Sequence, residues 1–148
     1  AGPRQSSRYG MVVPRFVGQA LRNEPITIYG DGSQRRCFCD VQDVVRAIIA
    51  LSLHSAAPGR TYNVGNTTEI SIQALAELVR QRLGSSSDIV MIPYDQAYAP
   101  GFEDMQRRVP DISRIREFIG WEPEIALDQT LERIRVDMLA SRVEMPVR

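Results

Sequence analysis

Apolar positions along this chain follow two rhythms, and the change from one to the other falls at turn-forming residues. Apolar residues stand at 12, 13, 16, 17, 20 and 21, the spacing of one helix face, and Pro14 is admissible in a first turn. The run "RNEP" ends that helix. Residues 27–29 then read as a short strand, 30–34 ("GDGSQ") as its turn and 36–39 as the returning strand, a hairpin. Asp40 is placed to cap a helix whose apolar stripe is Val41, Val44, Val45, Ile48 and Ile49. Asp43 lies in its first turn, where a carboxylate suits free amides and the positive helix end. After "AAPGR", residues 61–65 ("TYNVG") read as a strand. Ser71 caps a further helix with the stripe Ile72, Leu75, Ala76, Val79 and Leu83, and Gly84 closes it. A strand is expected over 88–94, followed by a loop over 95–106 long enough to suggest function. A short helix capped by Asp111 and closed by Gly120 comes next. The last helix, over 127–139, turns Leu127, Leu131, Ile134 and Met138 inward, and a frayed tail follows. The order predicts an α/β fold with helices in the majority.

Composition sharpens this picture mainly by exclusion. The 148 residues are enough for one domain with a core, and 43% hydrophobic with 24% charged residues is ordinary for a soluble protein. No apolar run approaches the roughly 18 residues of a membrane span, and the opening "AGPRQSSRYG" lacks the apolar stretch of a signal peptide. Eighteen basic residues balance 18 acidic ones, so no net field draws in nucleic acid or an anionic membrane. Every basic residue is arginine. Chemistry that needs a lysine (a Schiff base, a Walker lysine, a proton-relay lysine) cannot be completed by this chain.

Cys37 and Cys39, two apart on the predicted strand, fit neither a zinc site nor a redox Cys-x-x-Cys pair. They are expected as buried thiols on one core face, in a reducing cytoplasm. The single histidine, His54, reads as a C-terminal cap, and no metal site is expected. No Gly-x-Gly-x-x-Gly opens a strand–helix unit, so no dinucleotide fingerprint is present.

Arginines carry the candidate chemistry. Arg4, Arg35-Arg36 and Arg107-Arg108 all stand beside turn or loop residues. A guanidinium matches phosphate oxygens two at a time, so arginines converging from separate segments suit a diphosphate. A lone surface arginine is otherwise merely solvated, or paired for roughly 0–1 kcal/mol. Tyr29 and the start of the first helix offer a flat, half-apolar slot for a base. Glu103 and Asp104 read as a solvated loop face, without acid–base work.

The segments "VVPRFVGQAL", "EPITIYGDGSQRRCF", "VQDVVRAI", "YNVGNTTEISI" and "RRVPDISRIREFIGWEP" follow one another in the order seen in NAD-dependent nucleotide-sugar epimerases and dehydratases. The chain resembles the second half of these extended short-chain dehydrogenase/reductase enzymes. The resemblance implies a helix-rich α/β substrate-binding portion that lacks the Rossmann cofactor domain. It implies a nucleotide-sugar-binding portion over 1–142 and a flexible tail over 143–148. Arg36 and Arg108 would hold the diphosphate from two sides. Val12, Val13, Thr27 and Tyr29 would line a uracil pocket backed by Phe16. Asp43 and Asn63 would be structural.

Further expectations follow from the same likeness. NAD would be bound mainly by an N-terminal Rossmann half, which would also carry the catalytic Tyr-x-x-x-Lys pair. This chain would then hold no catalytic, cofactor or metal residue and be inactive alone. The expected partners are a UDP-sugar, that Rossmann half and further copies in a homo-oligomer. A UDP-hexose 4-epimerase is the favoured reaction, with UDP-glucuronate decarboxylase or nucleotide-sugar 4,6-dehydratase as alternatives. The contrasting class is a non-catalytic ligand-binding or interaction module.

Overall fold

Local signals set most of the helices. The first apolar stripe forms α1 (Val12–Leu21) with the expected bounds, and its Val13, Phe16, Val17 and Ala20 are buried. The chain continues through β1 (Ile26–Tyr29), β2 (Arg35–Cys37), α2 (Val41–Leu53), β3 (Glu69–Ser71), α3 (Ile72–Arg82) and β4 (Ile89–Ile92). It closes with α4 (Tyr94–Ala97), β5 (Arg107–Arg108), α5 (Ser113–Ile119) and α6 (Leu127–Val143). This computed structural model describes residues 1–5, 11–97 and 104–143. Residues 98–103 of the expected 95–106 loop, and all but the first residue of the expected 143–148 tail, lie outside them.

Most caps behave as read, but Ile112 rather than Asp111 is the N-cap of α5, and Asp111, one residue earlier, accepts from the Ser113 amide at 2.9 Å. Asp40 accepts from the Gln42 amide at 2.8 Å and Ser71 from the Ala74 amide at 3.1 Å, each relieving a free helix donor. Gly120 ends α5 in the left-handed region at φ 65°, where a side chain would be strained. His54 caps α2 and lays its ring 4.3 Å from that of Phe118. α6 runs beyond the expected 139, because Ala140 and Ser141 do nothing to stop it.

Strand pairing departs from the expectation. β1 and β2 do not form a hairpin: β1 pairs in parallel with β4, while β2 lies between antiparallel β3 and parallel β5. The Gly30–Gln34 stretch is therefore a crossing between two sheets. Asp31 folds it by accepting from the Ser33 amide at 2.9 Å, and Gln34 fastens its end with a bond to the Tyr29 carbonyl at 3.0 Å. Residues 61–65 are not a strand, since no ladder partner stands beside them among the described residues.

One core gathers α1, β1, α3 and α6 around Phe16, Ile28, Leu75, Val79, Leu131 and Ile134. A smaller one holds Ala47, Ile112, Ile115 and Trp121. The stripe of α2 does not join either. Val41, Val45, Ile48 and Ile49 are 43 to 57% exposed, and the helix buries Asp43 and Ala47 instead.

Asp43 explains that orientation. Its carboxylate accepts from Arg46 at 2.8 Å and from the amides of Glu124 and Ile125 at 3.1 and 3.0 Å. Burial pushes the Asp43 carboxyl up, but Arg46 and the two amides outweigh it, so it lies below its ordinary value. Asp40, at the other end of the same turn, accepts from the Thr130 hydroxyl at 2.7 Å and from Arg133. Two buried acids thus rivet the start of α2 to the 122–133 segment. Asn63 is structural as well, donating to the Asp111 carbonyl at 3.1 Å.

Candidate functional site

The site grows from the β3-β2-β5 ladder. Parallel pairing of β2 with β5 sets Arg35 opposite Arg107 and Arg36 opposite Arg108. Successive strand residues point to opposite faces, so the two arginine pairs part company. On one face Glu69 takes Arg107 in a two-pronged pair, at 2.8 and 2.9 Å, and reaches Arg35 at 3.6 Å. The Arg107 hydrogen bonds hold the Glu69 carboxyl below its ordinary value, and burial opposes them less strongly. On the other face Arg36 and Arg108 border a cavity of about 900 Å³, a size suited to a small ligand.

Arg36 is held in place there. It donates to Asp104 at 2.5 Å and to the Arg35 carbonyl at 2.8 Å. Asp104 also accepts from the Tyr94 hydroxyl at 3.2 Å, and Tyr94 accepts from Gln34 at 3.0 Å. Tyr94 comes close because Gly30, at φ 75°, leaves no Cβ in the way of its ring. Among the described residues no acid pairs with Arg108. A guanidinium has five donors, so even the engaged Arg36 keeps some for a ligand.

The expected site residues divide. Val12, Val13, Tyr29, Arg36 and Arg108 border the cavity. Phe16 is fully buried in the main core and, like Thr27, does not border the cavity; the Thr27 hydroxyl is bound by Gln19 at 3.0 Å. Arg4 does not join; its amide is tied to Asp137 at 3.0 Å. Glu103 lies outside the described residues.

Both cysteines are half-buried and border the cavity, contrary to the expected core placement. β2 is only three residues long, so Cys39 follows it in irregular backbone, where it packs partly buried against the smaller core while also bordering the cavity. Burial raises both thiols above their ordinary range, which leaves neither an activated nucleophile.

Sequence reasoning missed Arg15, Gln34, Tyr94 and the role of Asp104. The one available hint was that Arg15 and Gln34 each stand beside a residue already singled out. Among the described residues no group of three His, Cys, Asp or Glu could hold a metal ion, and no helix is long and apolar enough to cross a membrane.

Comparison with known proteins adds an independent line. A family model described as GDP-mannose 4,6 dehydratase matches residues 1–134. A UDP-N-acetyl-alpha-D-glucosaminuronate decarboxylase of Bacillus cytotoxicus is 38% identical over 132 residues, 88% of this chain and 41% of the relative. A UDP-glucose 4-epimerase of Thermotoga maritima, solved with UDP-glucose, superposes with a TM-score of 0.81 at 28% identity, covering 97% of this chain and 44% of that one. A UDP-glucuronic acid 4-epimerase of Bacillus cereus, solved with NAD, gives 0.77 at 26% identity, covering 95% and 42%. The chain thus spans about two fifths of the length of these relatives.

Proposed function

The chain belongs to the GDP-mannose 4,6 dehydratase family of extended short-chain dehydrogenase/reductase enzymes, and from that premise we propose that it is the substrate-binding portion of an NAD-dependent nucleotide-sugar enzyme. Its cavity receives the UDP moiety of the substrate. One observation carries this reading: Arg36 and Arg108, far apart in sequence, stand side by side on the wall of a ligand-sized cavity. Together they offer a diphosphate two planar forks, and each charge-assisted bond is worth about 1.5–3 kcal/mol. Val12, Val13 and Tyr29 border the same space and supply apolar surface for the base. Phe16 and Thr27, which do not border it, are assigned no contact with the base.

Two reactions are supported equally. The Bacillus cytotoxicus relative is a decarboxylase and the Thermotoga maritima one a 4-epimerase. Both need a hydride acceptor, which NAD supplies when bound. This chain has no glycine-rich turn opening a strand–helix unit and no lysine for a Tyr-x-x-x-Lys relay. Its residues therefore do not fit that cofactor, and no step is assigned to them. Binding of NAD and proton transfer belong to the rest of a longer protein, and this chain alone is inactive.

The exposed stripe of α2 is assigned to contact with that remaining portion. Calorimetric titration tests the reading: the chain binds UDP and does not bind NAD. Binding of NAD without UDP overturns it. A protein joining both portions, fed UDP-glucuronate, then separates the reactions by release of carbon dioxide or appearance of the 4-epimer.

A further inference from the structure

Arg36 and Arg108 stand side by side only as firmly as β5 stays on β2, and β5 is two exposed residues long. A strand so short and so open has little hold of its own, and its place depends on what grips it from either face. On the outer face Glu69 accepts from Arg107. On the cavity face the grip is Asp104, in the run that leads into β5. Its carboxylate accepts from Arg36 through one oxygen at 2.5 Å and from the Tyr94 hydroxyl through the other at 3.2 Å. Tyr94 is itself held. It accepts from Gln34 at 3.0 Å, Gln34 also donates to the Tyr29 carbonyl at 3.0 Å, and the Tyr94 ring lies where a Cβ on Gly30 would fall. Asp104 is thus anchored from behind before it meets Arg36. Their side chains are 23 and 15% exposed, so the pair is less screened than an ion pair on the open surface.

We infer that Asp104 is a positioning residue of the diphosphate site: by holding Arg36 it fixes that arginine's fork on the cavity wall and keeps the segment carrying Arg108 beside it. This rests on the reading of the cavity as a UDP site and goes beyond it by naming what sets the geometry of the two arginines. Asp104 has acceptors only, so it offers a diphosphate no bond and acts through Arg36. An arginine side chain is long and rich in rotamers. Holding it in place before the ligand arrives removes the cost of ordering it from the binding step. An acid near a diphosphate also repels it. Here the charge of Asp104 is already matched by Arg36 at hydrogen-bond distance, so the gain from a fixed fork outweighs that repulsion.

Calorimetric titration of the full chain with UDP and with inorganic pyrophosphate tests this in a double-mutant cycle. Asp104→Asn is expected to weaken both ligands by the same factor, roughly tenfold. Added to Arg36→Met, it is expected to change either affinity by less than about twofold, since the residue it acts through is gone. Tyr94→Phe removes the second anchor without touching a charge, and is expected to weaken both ligands roughly threefold. A merely structural Asp104 would lower the melting temperature and leave both affinities unchanged, or would show its full loss again in the Arg36→Met background. Either result overturns the inference. Tighter binding by Asp104→Asn overturns it as well, by making the acid a competitor for Arg36. So does a loss for UDP alone, which would place the effect at the base end of the cavity. Where Asp104→Asn does not fold, unchanged affinities in Tyr94→Phe overturn the inference in its place. A wild type that binds neither UDP nor pyrophosphate overturns the underlying site, and the role of Asp104 with it.

Discussion

Helices α1 and α2 carry apolar stripes of similar spacing, yet their fates are opposite. α1 buries Val13, Phe16, Val17 and Ala20 against β1, α3 and α6. α2 turns Val45, Ile48 and Ile49 outward and buries a carboxylate. Periodicity shows which side of a helix is apolar; it does not show whether anything lies against that side. The difference also marks where the energy resides. α1 is held by burial, whereas α2 is held at its first turn by Asp40 and Asp43, whose hydrogen bonds outweigh the exposure of its stripe.

The strongest way to sharpen this contrast is to empty the α1 side. Phe16→Ala should cost about 3–5 kcal/mol, because the cavity left in a closed core cannot collapse fully, and urea denaturation would measure it. Next comes the polar rivet. Asp43→Ala should cost about 3 kcal/mol by stranding Arg46 and two backbone amides. The same group makes α2 sensitive to acid. The folded Asp43 carboxyl lies below its ordinary value of 3.8. Its contribution is thus complete above that value and is lost as pH falls through the lower folded one. Melting the wild type and the Asp43→Ala variant at descending pH should show their difference shrinking under acid. A constant difference would assign the loss to packing alone.

A smaller effect is expected on the ladder, where the inside–outside contrast recurs among charges. Arg36→Ala and Arg108→Ala should each weaken UDP binding by about 1.5–3 kcal/mol. Arg35→Ala should change it by less than about 0.5 kcal/mol, since Glu69 already occupies that face. Equal losses for Arg35 and Arg36 would dissolve the distinction between the two faces.

The smallest change in stability, within about 0.5 kcal/mol, is expected for Ile48→Glu and Ile49→Glu, whose side chains touch little. Their readout is association. Light scattering should show the wild-type chain as a dimer or larger and the double variant as a monomer. A monomeric wild type would mean that the α2 stripe does not drive self-association.

What the residues alone determined is whatever is settled within a turn or two of chain. The bounds of α1, the caps at Asp40 and Ser71, the stop at Gly120 and the placing of arginines at a turn are all of this kind. Each depends on local backbone geometry and on donors a few residues away. Tertiary structure decided the rest. Whether β1 returned on β2 or crossed to β4 depended on a partner 63 residues on, and nothing in "GDGSQ" distinguishes a hairpin turn from a crossing. The β3 and β5 strands are too short to carry a period of their own.

The site shows the same division. Arg36 was legible as an anion ligand because guanidinium chemistry is a property of the residue. Its neighbours were not: Asp104 meets it across 68 positions, and Gln34 and Arg15 converge on Tyr29 only once two elements are packed. A side chain's chemistry is written in its identity. Its partner is written in the pairing of strands and the burial of faces, which are long-range and depend on what covers each surface.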